Sequence, residues 1–328
     1  MASSTGLSLR KAADMILRQC MSLKKSESLL VITDKNKKRI AGAVYEAAFP
    51  LCRNVMMVTI PAAKVNGEEP PAIVADMMKG YDVIIAPTTK SMTHTMAVKK
   101  ARKSGARVAT MPGITEDVLK RGMSADYRKV KRLSEKINSA LQECGSIRVT
   151  TRKGTDITIC RDEKVNARAD SGFVHERGGL ANLPAGESVI VPKHRKTEGV
   201  FVVDASMGGI GKVDRPITIT VKKGYAERIK GGKSAAQLRK KLEGCAEESG
   251  DDSPYNIAEL GIGTNYKAKV SGTVLEDEKV FGTAHIALGN SKGLGGKIYA
   301  PCHLDGVFMK PTIMADDRTI MKDGKLLI

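Results

Sequence analysis

Residues 81–87 read YDVIIAP, a short run that is apolar on both faces, and residues 106–112 (ARVATMP) form a second such run. Between them, residues 92–104 space their apolar side chains as a helix does. The same alternation extends backwards. Residues 29–33 (LLVIT) and 54–61 (NVMMVTIP) predict strands, and 9–23, 35–49 and 71–79 predict helices. Strands lacking a polar face, separated by helices of about 10–15 residues, indicate a parallel sheet covered on both sides. Such sheets bind ligands at the carboxyl ends of their strands. A long polar helix over 125–142 closes this half. Residues 1–145 are therefore expected to form an α/β N-terminal domain with a mainly parallel sheet.

After Cys144 the pattern changes. Residues 146–151 and 155–160 are β-prone and joined by RKG, which predicts a hairpin. Short strands then alternate with glycine-containing turns at 188–191, 199–204, 216–222, 268–272 and 283–288, interrupted by one amphipathic helix at 234–243. Residues 146–328 are expected to form a β-rich α+β C-terminal domain.

The length of 328 residues suits two domains, and 41% hydrophobic residues suffice for a core. Lys and Arg number 54 against 36 Asp and Glu, a net charge of +18 that favours anionic partners or solubility. Nucleic-acid binding is not expected despite this charge. Aromatics are only 4%, and the basic runs at 99–107, 120–132 and 222–241 carry no helix-turn-helix, zinc-finger or RNA-recognition signature. Phosphate loops fail on spacing: the GGKS at 231–234 needs a glycine where Glu227 stands, and the GGK at 295–297 needs one at Ser291. No apolar run approaches the roughly 20 residues of a membrane span, and the N-terminus has no long apolar core of a secretory signal. Six dispersed cysteines without a CxxC pair read as reduced thiols, so a cytoplasmic protein is expected.

Five histidines narrow the search for chemistry. His303 and Asp305 form a His-x-Asp unit, whose members share one face of a strand and can converge on one cation. His285 lies in an apolar segment, residues 281–289 (FGTAHIALG). Glu259 interrupts another at 256–265 (NIAELGIGTN), and Glu187 follows a Pro-Ala-Gly turn in 182–192 (NLPAGESVIVP). Taken singly, each has an ordinary explanation: a surface ion pair for His303 and Asp305, a satisfied core histidine for His285, turn-capping acids for the glutamates. Together, two Glu, two His and one Asp beside apolar β segments make a ligand set for one or two divalent ions such as Zn, Co, Mn or Fe(II).

In this order the segments NLPAGE, AELGIGTN, GTAHIALG and HLD resemble the aminopeptidase T family, the thermophilic metalloaminopeptidases and leucyl aminopeptidases. The resemblance implies that Glu187, Glu259, His285, His303 and Asp305 are metal ligands and that the protein is a homodimer with an α/β and a β-rich domain. It implies hydrolysis of peptide or amide bonds, with a short peptide or other small molecule as substrate; in that reaction a metal-bound water attacks, and Glu187 or Glu259 is the candidate base, Glu187 the first choice. Two features depart from the peptidases. They carry a Tyr a few residues beyond the first histidine, where this chain has NSKG at 290–293, and their stretch between the two histidines is longer. The shorter form resembles a sister group, the 2,5-dihydroxypyridine dioxygenases, which use one Fe(II) and a histidine from the N-terminal domain. His94, just past YDVIIAP, is the candidate for that histidine, as acid/base or substrate donor. Its ordinary alternative is a polar residue in the first turn of the next helix, capped by Ser91. The expected function is metal-dependent hydrolysis, with Fe(II)-dependent ring cleavage of a dihydroxypyridine-like substrate as the alternative.

Overall fold

The computed structural model describes residues 7–328; residues 1–6, part of the N-terminal stretch searched above for a secretory signal, lie outside the described residues. The described residues gather into two compact units, one running to residue 131 and including 170–185, the other of residues 132–169 with 186–328. Among the described residues no helix is long and apolar enough to cross a membrane.

The first unit is α/β. Its strands are β1 (Ser28–Asp34), β2 (Asn54–Ile60), β3 (Val83–Thr88), β4 (Arg107–Pro112) and β5 (Leu180–Asn182), all parallel, in the order β2-β1-β3-β4-β5. Every residue of β1 and β3 is buried, which is why neither strand needs a polar face. β2 is the edge, and Met56 and Met57 stand exposed on it. A cut at residue 145 would leave β5 in the other half of the chain, yet residues 180–182 pair with Val108, Ala109 and Thr110. A three-residue strand between Gly179 and Leu183 is too short to show a period in sequence. The helix expected over 92–104 is shorter, Met96–Lys103, and Thr95 rather than Ser91 caps it, accepting from the backbone N–H of Val98 at 3.3 Å.

The second unit is β-rich with helices, as expected. The helix Tyr127–Glu143, expected to close the first half, instead gives Ile137 and Leu141 to the apolar core of this unit. The hairpin expected after Cys144 is present as Ser146–Thr150 and Asp156–Arg161, in an antiparallel sheet of eight strands. The amphipathic helix runs beyond its expected end, over Lys233–Ser249.

A second antiparallel sheet contains β6 (Glu187–Ile190), β7 (Ile257–Gly263), β8 (Thr283–Gly289) and β9 (His303–Met309), in the order β9-β8-β7-β6. Leu260, Ile262, Ile286, Leu288 and Phe308 put one face of this sheet into the core. The strand expected at 268–272 does not form. That segment is a loop gathered by Asp277, whose buried carboxylate accepts from the backbone N–H groups of Ser271 at 2.6 Å and Gly272 at 2.8 Å.

Candidate metal centre

Strand register brings the expected ligands together. Gly261 of β7 faces His285 of β8, and Glu259 faces Ala287. On the other side of β8, Ala287 faces Asp305 and Gly289 faces His303. Gly263 faces Glu187 across β7 and β6. Directly opposed residues of an antiparallel pair lie on one face, as do residues i and i+2 of a strand. Glu187, Glu259, His285, His303 and Asp305 therefore share the face turned away from the Leu260 and Ile286 core. Gly261, Gly263, Ala287 and Gly289 stand among them, and their small side chains let the ionisable groups and the neighbouring backbone pack close: a Cβ on Gly261 would meet the His285 ring and one on Gly263 the Val280 carbonyl.

Within that cluster His285 Nε2 lies 3.5 Å from Glu187 Oε2 and 3.5 Å from Glu259 Oε1. His303 Nε2 lies 3.2 Å from Glu259 Oε2 and 3.3 Å from Asp305 Oδ1. Three overlapping triads each bring one ligand atom per residue within 4.8 Å of the others: Glu187, Glu259 and His285; Glu259, His303 and Asp305; Glu278, His285 and Asp305.

The donors fit a divalent ion. His285 is fully buried, yet neither ring nitrogen has a hydrogen-bond partner, and Glu187 Oε2 is likewise buried and unpartnered. Buried polar atoms without partners are costly, and a cation at His285 Nε2, the ring nitrogen turned to the carboxylates, would satisfy that atom and set a positive charge beside Glu187 Oε2. His303 is already oriented for this. Its Nδ1 donates to the backbone carbonyl of Asn290 at 2.8 Å, which fixes the tautomer and turns Nε2 towards the carboxylates. Imidazole with carboxylate suits Zn, Mn, Co and Fe(II).

The electrostatics agree. Burial opposes a charge on His285, but Glu259, Glu187 and Asp305 hold it protonated up to about 9. His303 resists the same burial cost and stays well above the usual imidazole range because of Asp305 and Glu259. Burial would raise Glu259, and the two histidines hold it far below the ordinary carboxylate range instead. Glu187 moves the other way, pushed up to about 7 by burial, with Lys279 pulling against it. In the metal-free protein, protons on the two imidazoles supply the positive charge that a metal would bring.

Sequence reasoning did not single out Lys279 or Glu278. Lys279 is 2% exposed and pairs with Glu187 Oε1 and, at 2.9 Å, with Glu278 Oε1. In sequence the pair sits in LEDEKVFG at 275–282, which looks like a charged surface turn. Its one signal is position, an acid and a base immediately before the wholly apolar approach to β8.

His94 belongs to the first unit, whereas the other five candidates belong to the second. It is exposed, in a turn outside the following helix. Ser91, Thr93 and Thr95 fasten that turn, with Ser91 Oγ donating to Thr93 Oγ1 at 2.9 Å and Thr95 Oγ1 to the carbonyl of Met92 at 2.8 Å.

Comparison with known proteins gives the family and the fold. The family profile of NicX, 2,5-dihydroxypyridine 5,6-dioxygenase, matches residues 8–328. The chain belongs to the NicX family. The curated 2,5-dihydroxypyridine 5,6-dioxygenase of Pseudomonas putida is 24% identical over 322 residues, covering 88% of this chain and 87% of that protein. The solved structure of 2,5-dihydroxypyridine dioxygenase from Pseudomonas putida KT2440 superposes with a TM-score of 0.84 at 21% identity, over 97% of this chain and 96% of that one. AmpT from Thermus thermophilus superposes with a TM-score of 0.72 at 14% identity, over 98% and 99% of the two chains. The fold is thus common to both groups, and NicX family membership makes the chain an enzyme. The expectation of a peptide- or amide-cleaving hydrolase is corrected. The family match and the sequence relative are dioxygenases, and the peptidase shares only the fold. The ligand motifs did not separate the two chemistries, because a carboxylate and imidazole set serves both.

Proposed function

We propose that this NicX family member is an Fe(II)-dependent dioxygenase that opens the ring of a dihydroxylated pyridine. The family match across residues 8–328 carries this reading. The cluster supports it: Asp305 joins His303 in one triad and His285 in another, so these two imidazoles and one carboxylate would hold a mononuclear iron with open positions. When bound, ferrous iron would supply the electron-transfer chemistry through which O2 reacts with an aromatic ring. The chain's own residues do the rest. Asn290 holds the His303 ring by its backbone carbonyl. Glu259 lies between the two histidines and balances their charge. Glu187, with one oxygen on Lys279 and the other facing His285, sits near neutrality, so it accepts a proton from a substrate hydroxyl and returns it to the opened product.

The test is anaerobic purification, iron quantitation and O2 uptake with 2,5-dihydroxypyridine. About one iron per chain and one O2 consumed per substrate are expected. The double substitution of His303 and Asp305 by Ala should abolish iron binding and uptake. An iron-loaded protein that leaves dihydroxylated pyridines untouched would overturn the proposed reaction, and full iron content in the double variant would overturn the ligand assignment.

A further inference from the structure

The centre holds more negative charge than one divalent ion neutralises. Four carboxylates converge on it, those of Glu187, Glu259, Glu278 and Asp305. Two of these, Glu187 and Glu278, turn one oxygen to the ammonium of Lys279, which is 2% exposed. Each also belongs to a triad with His285. The buried ammonium thus stands on the far side of the same carboxylates that face the histidines. A lysine buried among acids is stable only where the geometry returns its cost of desolvation, and removing one partner of such a group is strongly destabilising.

We propose that Lys279 is a fixed cation in the place a second divalent ion would take, confining the centre to one metal. It does so by occupying Glu187 Oε1 and Glu278 Oε1, so that neither side chain can give both oxygens to a further ion. The segment that carries it is anchored for the purpose. The carbonyl of Lys279 accepts from the N–H of Asn265 at 2.8 Å, and the N–H of Phe281 donates to the carbonyl of Asn265 at 3.1 Å. Lys279 is a positioning residue, acting through Glu187 and Glu278. The proposal rests on the reading that the centre binds a divalent ion.

Manganese titration of the chelator-treated protein, followed by electron paramagnetic resonance, tests it. The wild-type chain should take one Mn(II), and Lys279→Met should take a second, with the exchange-coupled signal of a Mn pair. Lys279→Arg keeps the charge and should stay at one. A purely structural ion pair would not change the stoichiometry. Two ions in the wild type, or one ion in a natively folded Lys279→Met protein, overturns the proposal. Should Lys279→Met fail to fold, Lys279→Gln is read in the same way. Folding of both only in excess Mn(II) supports the proposal, and failure even then overturns it. No uptake by the wild type would instead sink the metal-centre reading itself.

Discussion

Gly261 and His285 face each other across β7 and β8 so closely that a Cβ on residue 261 would lie 2.0 Å from the His285 Nε2. The glycine is therefore part of the candidate metal centre, since only hydrogen fits beneath the ring. Gly261→Ala should push the imidazole away from the carboxylates it faces. Metal affinity should fall on the order of 10–100-fold, as it does when groups supporting a ligand are lost. The overpacking should cost roughly 1–3 kcal/mol of stability. Metal titration with parallel thermal melts separates the two effects.

Metal uptake should release protons. At pH 7 the metal-free protein carries protons on His285, which titrates at about 9, and on His303, whose range is also raised. Both must leave for the ring nitrogens to bind a cation. Calorimetry in buffers of different ionisation enthalpy should show about two protons released at pH 7, from the two imidazoles, and up to a further half from Glu187, which titrates at about 7. Affinity should rise with pH through about 9, and a pH-independent affinity would contradict the charge arrangement.

The metal-free protein should lose stability as pH rises. The folded-state pKa of His285 is raised, so its contribution is complete below about 6.5 and is lost as pH passes through about 9. Glu187 is raised as well, to about 7, so its contribution is complete below the ordinary glutamate range and is lost as pH passes 7. The two losses have the same sign. Melting temperatures of chelator-treated protein should fall between pH 6 and 9, and added metal should flatten the profile.

Glu259→Gln removes the anion shared by both histidines. The pKa of His285 in the metal-free protein should drop from about 9 towards the normal imidazole value, by about 1–3 units for the loss of a close opposite charge. Proton NMR of the imidazole rings reads this directly.

Asp277 holds the loop ahead of Lys279 through two backbone N–H groups. Asp277→Ala leaves both without their partner and should cost roughly 1.5–3 kcal/mol, because these are charge-assisted bonds. Denaturant unfolding would show it.

Much of this was legible in the sequence, for physical reasons. Continuous apolar strands such as β3 announce a sheet covered on both faces, and Glu259 and His285 are conspicuous because apolar strands rarely carry ionisable groups without a partner. What the sequence hid was what register alone creates. Nothing local shows that Gly261 lies under His285, or that the Glu278 and Lys279 doublet folds inward rather than into solvent. Residues 180–182 hid for lack of length, and the buried stripe of Ile137 and Leu141 belongs to a helix whose composition is mostly charged. The chemistry was misassigned because the same donors serve hydrolysis and oxygenation.

The centre is also lopsided. The side chain of His285 is fully enclosed, those of Glu187, Glu259 and Asp305 are about a tenth exposed, and that of His303 is 32% exposed. His303 would therefore be the first of these side chains open to an ion from solvent and His285 the last, so loading would run from the rim inward and unloading in reverse. Chelators then set the pace of metal loss by how readily they take His303's place, and substituting that one residue should change the speed of exchange more than any change among the enclosed donors.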